Sequence, residues 1–385
     1  MTIRHLPQIA VFAFALMAFS SIGAVQAETP SPWMVLVGDR SGDSDKAQWR
    51  TILSDGEDVL VADAPLIVRD GRAYRLEKKV YKWKRTFYKG KASAEYEVEE
   101  LLARDLQSGK ATVLVPAGNA LSEAKQCVAQ GTFELQNPGQ AFVGATAADA
   151  AGRGCSYERR ITILSVYDDL ISVHDHNYSF VPFAAHPNFA GDYDVFRFDG
   201  RHLKPAHDKF LSKDVESRAH NKLRKKEIGQ CVFAGDTNPH AEMRPECFAG
   251  YAVSPAGGGA KLEYAVSGFY GAHYDVDDTV SVPLAADYPR QRGEAQRAFV
   301  RNHPQFLDWK KLPFYSVAPD GSGVVYKAAG KLYWKRTEDG KVSTVANVND
   351  VRGVQWVQSP VVKKEVNAVF LQPKTASRLR AKSAS

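Results

Sequence analysis

Residues 161–210 read ITILSVYDDLISVHDHNYSFVPFAAHPNFAGDYDVFRFDGRHLKPAHDKF, and this stretch decides the fold. Ile161–Val166 is a short β-branched run. Within Leu170–Phe180 the side chains alternate. Ile171, Val173, Asp175 and Asn177 fall on one face of a strand, and Ser172, His174, His176 and Tyr178 on the other. Asp192–Phe198 alternates again, with Tyr193, Val195 and Arg197 opposite Asp194, Phe196 and Phe198. Asp199-Gly200 is a turn dipeptide. Beyond it, His202-Leu203 leads into a charged, helix-prone run.

That run predicts a helix over residues 209–228. Ser212 suits the N-cap. Val215, Ala219 and Leu223 make one apolar stripe. Lys222, Arg224, Lys225 and Lys226 fall in the last turns, where cations suit the helix dipole. An antiparallel sheet with this helix laid across it follows. Residues 229–259 read as loop, with Gly257-Gly258-Gly259 as a turn; this is not a phosphate loop, because no Lys-Ser/Thr ending or helix follows. Leu262–Val266 and Val280–Leu284 read as strands. Between them, Asp275, Asp277 and Asp278 follow His273 and read as a hairpin turn. A short helix is expected over 293–302.

This central stretch resembles the extracellular domain of the RsiV-type anti-sigma factors, also found ahead of the catalytic domain in PdaC-type peptidoglycan deacetylases. Four features in order carry the resemblance: the Phe183-Ala184-Ala185-His186-Pro187 loop, which keeps Ala-His but lacks the family's glycines; the Phe198–Leu203 turn; Phe210; and the closing pair Leu262–Val266 and Val280–Leu284. It covers roughly residues 131–287. The resemblance implies lysozyme or peptidoglycan as the ligand.

Farther out the chain reads as β. Pro32–Val37, Val59–Val61, Leu66–Val68 and Ala73–Leu76 are strands, with Asp70-Gly71 as a hairpin turn. Asp39, Asp43 and Asp45 do not make an EF-hand, since Ser44 and Arg50 stand where Gly and Glu are needed. Residues 97–105, the turn at 107–110 and Thr112–Val115 resemble the outer hairpin of a propeller blade. Phe314–Val348 forms a meander that resembles single blades of TolB-like propellers. A propeller needs at least four blades, so these end segments are expected to add hairpins, or to share a sheet. Val361–Leu371 is a further strand candidate. Residues 119–154 read as a Gly- and Ala-rich surface loop, with a helix through 145–151 as the alternative.

The fold class expected is therefore α+β and β-rich: an antiparallel sheet with one packed helix, plus hairpins and a meander from the two ends. The divisions are 1–27, 28–118, 119–290, 291–372 and a disordered tail at 373–385.

Residues 1–27 read as a secretory signal. Arg4 and His5 start it, Ile9–Phe19 is the apolar run, and Ala24–Ala27 is a small-residue cleavage site. The protein is expected to be exported, periplasmic or secreted, with no membrane span once the signal is removed. Cys127, Cys155, Cys231 and Cys247 are its four cysteines. Three pairings are possible. Cys127–Cys155 and Cys231–Cys247 are favoured, because each pair brackets one polar loop. Each bridge would contribute about 3 kcal/mol. Zinc is disfavoured by the absence of C-x-x-C spacing. A net charge of +6, spread among acidic residues, gives a mixed solvated surface with an affinity for anionic polymers. Nucleic acid is not expected as a partner.

No nucleophile elbow, H-E-x-x-H, S-x-x-K or dinucleotide fingerprint occurs. No cofactor and no catalytic residue is assigned. The reading is a non-catalytic binding protein of the bacterial cell envelope, taking cell-wall glycan or a lysozyme-like wall-degrading enzyme. Its candidate contacts are Tyr178, Phe183, His186, Asn188 and Phe189. The first alternative is a periplasmic hydrolase of wall material, using His174, His176 and His186 as metal ligands or the Asp275–Asp278 cluster. The second is a structural envelope-assembly protein.

Overall fold

Alternation fixes which face of a strand is buried, and pairing fixes its register. The computed structural model describes residues 33–42, 47–184, 187–206, 246–270, 274–283 and 290–358. In chain order the strands are β1 (Met34–Ser41), β2 (Gln48–Ser54), β3 (Val59–Ala62), β4 (Leu66–Arg69), β5 (Arg72–Phe87), β6 (Ala92–Asp105) and β7 (Ala111–Val115). Helices α1 (Gly118–Gln136), α2 (Pro138–Ala141) and α3 (Ala147–Ala150) follow. Next come β8 (Gly154–Tyr167), β9 (Leu170–Phe180), β10 (Asn188–Phe198), β11 (Leu203–Pro205), β12 (Glu246–Ala256), β13 (Gly259–Tyr270) and β14 (Tyr274–Pro283). Helix α4 (Arg290–Asn302) leads to β15 (Phe314–Val317), β16 (Gly323–Ala328), β17 (Lys331–Arg336), β18 (Val342–Asn347) and β19 (Asp350–Val357). The protein is α+β and β-rich.

A twelve-stranded sheet runs β11-β10-β9-β8-β19-β1-β2-β3, and β4–β7 join it through β6 on β8. Its pairings are antiparallel except β6 on β8 and β19 on β8, which are parallel. The sheet draws strands from both ends and the middle of the chain. β12–β14 form a three-stranded sheet and β15–β18 a four-stranded meander.

All three sheets close on one apolar cluster. Val35, Val37 and Ile52 meet Val253 and Leu262 of β12–β13, and Val325, Leu332 and Trp334 of the meander. Trp334 and Trp356 pack edge to face, 5.5 Å apart, a favoured aromatic geometry. A second cluster packs Ile67, Leu76 and Leu101 onto Ile161, Ile171, Val173 and Phe198. The long helix α1 covers β6 and β8 with Ala120, Ala124, Val128 and Leu135.

Several expectations need correction. Residues 119–154 are not a surface loop: α1 fills the first half of them, and the alternative helix is α3, with Thr146 and Asp149 forming a capping box. The stripe of α1 is built of small residues, so it lacks the apolar signature of a core helix. Asp275, Asp277 and Asp278 lie on β14 and not in a turn; the hairpin is closed earlier, where Tyr270 pairs with Tyr274. Glu246–Ala256, expected to be loop, is β12. The Cys127–Cys155 bond is not formed: both are free thiols. The Cys127 sulfur faces the Ser156 carbonyl at 3.9 Å. Burial, then the adjacent Cys127, pushes the Cys155 thiol up to about 12. Cys231, the helix expected over 209–228 and the strand over 361–371 lie outside the described residues.

Candidate binding face

The β5–β6 hairpin carries two sequences of opposite charge, KKVYKWKR (residues 78–85) and EYEVEE (residues 95–100). Directly paired residues share a face of the sheet. The register sets Lys82 beside Glu97 and Lys84 beside Glu95. Their ion pairs measure 2.9 and 2.6 Å. Lys78 reaches diagonally to Glu99 at 2.9 Å.

Parallel pairing continues the rows onto β8, with Glu95 beside Ser156 and Glu97 beside Glu158. Antiparallel pairing carries them to β9, where Tyr178 is beside Glu158, His176 beside Arg160 and His174 beside Thr162. On β10, Gly191 is beside His176 and Tyr193 beside His174. Five strands thus present one polar face. On it lies a groove of about 400 Å³, lined among others by Lys82, Lys84, Glu95, Glu97, Glu158 and Arg160. On the reverse face Trp83 stacks on Tyr96 and α1 covers the sheet.

The groove balances its own charge. Burial works against the Arg160 guanidinium, but Glu158, with which it pairs, and then Glu97 and Glu99 hold its pKa above the ordinary value. Exposed pairs such as these are worth roughly 0–1 kcal/mol each, so a ligand bearing both charges can exchange them at little cost. Each lining carboxylate is paired, Glu95 with Lys84, Glu97 with Lys82 and Glu158 with Arg160.

At the histidine end, the His174 ring lies parallel to Tyr193 with centroids 3.9 Å apart, and 5.2 Å from His176. Glycine at 191 makes room for this. A Cβ there would sit 3.1 Å from His174 Nε2 and 3.2 Å from His176 Cβ. His176 Nδ1 is buried with no hydrogen-bond partner among the described residues. No group of three His, Cys, Asp or Glu able to hold a metal gathers among the described residues, and His186 lies outside them.

Of the residues expected to bind, Tyr178 lies on the polar face. Asn188 opens β10, opposite Ser179, and Phe189 pairs with Tyr178. Phe183 is elsewhere, packed on the cluster of Ala92, Val128 and Leu135. Its ring is parallel to Phe142, at 6.4 Å, with the Arg153 guanidinium 4.7 Å from its centroid. The Lys/Glu rows were not among the expected contacts. Their signal was the two-residue alternation of opposite charges in β5 and β6, which only the register converts into a groove.

No family model matches the chain, and no curated protein matches it. Among solved structures, it is similar to a DUF3298 family protein from Pseudomonas aeruginosa at 14% identity and a TM-score of 0.26, over 57% of this chain and 92% of that one. It is also similar to TolB from Acinetobacter baumannii at 9% identity and a TM-score of 0.20, over 83% of this chain and 54% of that one.

Proposed function

We propose that this is an exported, non-catalytic binding protein of the bacterial cell envelope, and that its polar face takes cell-wall glycan with its attached peptides. The observation that carries this reading is the groove of alternating Lys and Glu, continued by Tyr178 and the His174–Tyr193 stack. Wall glycan offers hydroxyls for the carboxylates, and its peptide stems offer both ammonium and carboxylate groups for the paired charges. Tyrosine beside the charged rows supplies a flat surface with a polar tip. A lysozyme-like enzyme is the second ligand of the same class of reading, since its cationic surface would meet the glutamates.

The test is co-sedimentation with purified peptidoglycan, in parallel with capture on immobilised lysozyme. Binding to peptidoglycan is expected, falling about tenfold in Glu97→Gln/Glu158→Gln and in Tyr178→Ala. Retention on lysozyme alone moves the reading to the protein ligand. Folded protein retained on neither overturns it.

A further inference from the structure

The opposite end of the β5–β6 hairpin holds a second cleft, which the polar face does not use. It measures about 610 Å³, and Arg72, Tyr74, Asp105, Lys110, Arg201 and His202 are among the residues that line it. Its walls are two turns, one joining β6 to β7 and the other joining β10 to β11. Phe198, the last residue of β10, packs edge to face on Tyr74 with centroids 5.0 Å apart, and this contact sets the second turn beside the hairpin. Gly200, at φ +89°, carries that turn past the Tyr74 hydroxyl, whose oxygen would lie 3.5 Å from a Cβ at 200. Each turn is fixed by an aspartate. Asp105 Oδ1 accepts from the backbone N–H groups of Gln107 and Ser108, both at 2.9 Å. Asp199 Oδ1 accepts from those of Arg201 and His202 at 2.9 and 2.7 Å.

The carboxylates around the cleft are already engaged. Asp105 pairs with Arg72 at 3.2 Å, Asp199 with Lys204 at 3.0 Å, and Asp70, which also neighbours Gly200, with Arg69 at 3.6 Å. The Lys110 ammonium and the Arg201 guanidinium have no acidic partner among the described residues. Arg72, Lys110 and Arg201 against Asp105 leave the lining two positive charges in excess. Tyr74 is 7% exposed, and its hydroxyl has no hydrogen-bond partner among the described residues. Burial, then Asp105, hold that hydroxyl above its ordinary pKa, so it stays protonated and donates. A phosphomonoester carries about −1.5 to −2 charge near neutral pH and offers three acceptor oxygens. It matches the excess, whereas a single carboxylate would meet only part of it. Its oxygens suit the planar fork of arginine and the ammonium of lysine. We infer that this cleft binds a phosphomonoester group, with Lys110 and Arg201 pairing to it from the two turns and the Tyr74 hydroxyl donating to one of its oxygens. Lys82 of the groove lies about 26 Å farther along β5, and the inference does not depend on the ligand of the groove.

The experiment is calorimetric titration of the purified protein with glucose 6-phosphate and with inorganic phosphate, against glucose and acetate. Saturable binding of both phosphates is expected, each competing with the other and weakening as salt is raised. Lys110→Gln/Arg201→Gln is expected to weaken it about tenfold or more, with the melting temperature unchanged because both side chains are exposed. Tyr74→Phe, which keeps the ring packed on Phe198, is expected to weaken it severalfold. An absence of saturable binding by either phosphate overturns the proposal. So does equal binding of glucose or acetate, or wild-type affinity in Lys110→Gln/Arg201→Gln. Peptidoglycan co-sedimentation of the same variants separates failure here from failure of the groove, because they leave the Lys/Glu rows intact.

Discussion

Glu263 on β13 shows how a single buried charge ties two sheets together. Its carboxylate accepts from the Ser254 hydroxyl at 2.8 Å, pairs with Lys261 at 2.5 Å, and pairs with Arg352 on β19. Burial pushes the carboxyl up, but Arg352, Lys261 and Ser254 outweigh it and hold the pKa below the ordinary 4.5. A depressed folded-state value means the folded state binds the proton less readily than the unfolded state. The stabilisation is therefore complete above pH 4.5 and is lost as pH falls through the folded value. Melting curves between pH 7 and pH 3 should show a steeper fall for wild type than for Glu263→Gln, the two converging at the acid end. Equal slopes would remove Glu263 as a source of acid sensitivity. Glu263→Ala should cost more at neutral pH than Glu263→Gln, because it leaves Arg352 unpaired and opens space as well.

Among the elements, α1 and the strand it covers set the tightest steric condition. A Cβ on Gly131 would lie 2.2 Å from Cys155 Sγ and 2.3 Å from its Cβ. Cys155 is buried on a central strand and has no room to yield. Gly131→Ala is expected to destabilise by roughly 1–3 kcal/mol, read as a lowered midpoint in urea with an unchanged slope. An unchanged midpoint would mean that α1 slides freely on β8. The same glycine explains why this helix was illegible in the sequence. Ala120, Ala124, Val128, Gly131 and Leu135 recur at helical spacing, but most are too small to stand out as an apolar stripe. The strands were legible where alternation was strict: Leu170–Phe180 and Asp192–Phe198 lie within β9 and β10. Outer β5 was not, because Lys78, Lys82 and Lys84 occupy one face while Lys79 and Arg85 fall among Tyr81, Trp83 and Phe87 on the other, and charge masks the period. β19 escaped notice because its residues 350–357, DVRGVQWV, carry Gly353 in mid-strand. That glycine is required, since a Cβ there would meet the Val166 carbonyl oxygen at 2.3 Å. Of the candidate site, Tyr178 and the shared face of His174 and His176 were readable from period alone. The Lys/Glu groove depends on pairings across β5, β6 and β8, which no local pattern encodes.

At the level of the whole molecule, β1 and β19 lie side by side inside the sheet and join the two ends of the described chain, and Asp39 fastens the junction. Its Oδ1 accepts from the backbone N–H groups of Asn349 and Asp350 at 2.7 and 3.0 Å, and its other oxygen pairs with Arg50. The residue is 1% exposed. Asp39→Ala leaves two backbone donors without their partner, and is expected to cost about 2 kcal/mol or more. Arg50→Ala should cost less, because the guanidinium is partly in water. Thermal unfolding of the two variants checks the order; a larger loss for Arg50→Ala would place the fastening in the ion pair rather than in the backbone bonds.

This fastening also dictates a sequence of events in time. The bond from Asn349 to Asp39 spans 310 positions, so β1, which pairs with nearby β2 on one side, cannot find β19 on the other until nearly the whole described chain has emerged from the ribosome. Until then the edge of β1 that faces β19 carries a row of unmet amides and carbonyls, beside the apolar side chains of Met34–Val37. Such a segment needs shielding during synthesis, and its late docking makes the assembly of this protein slow.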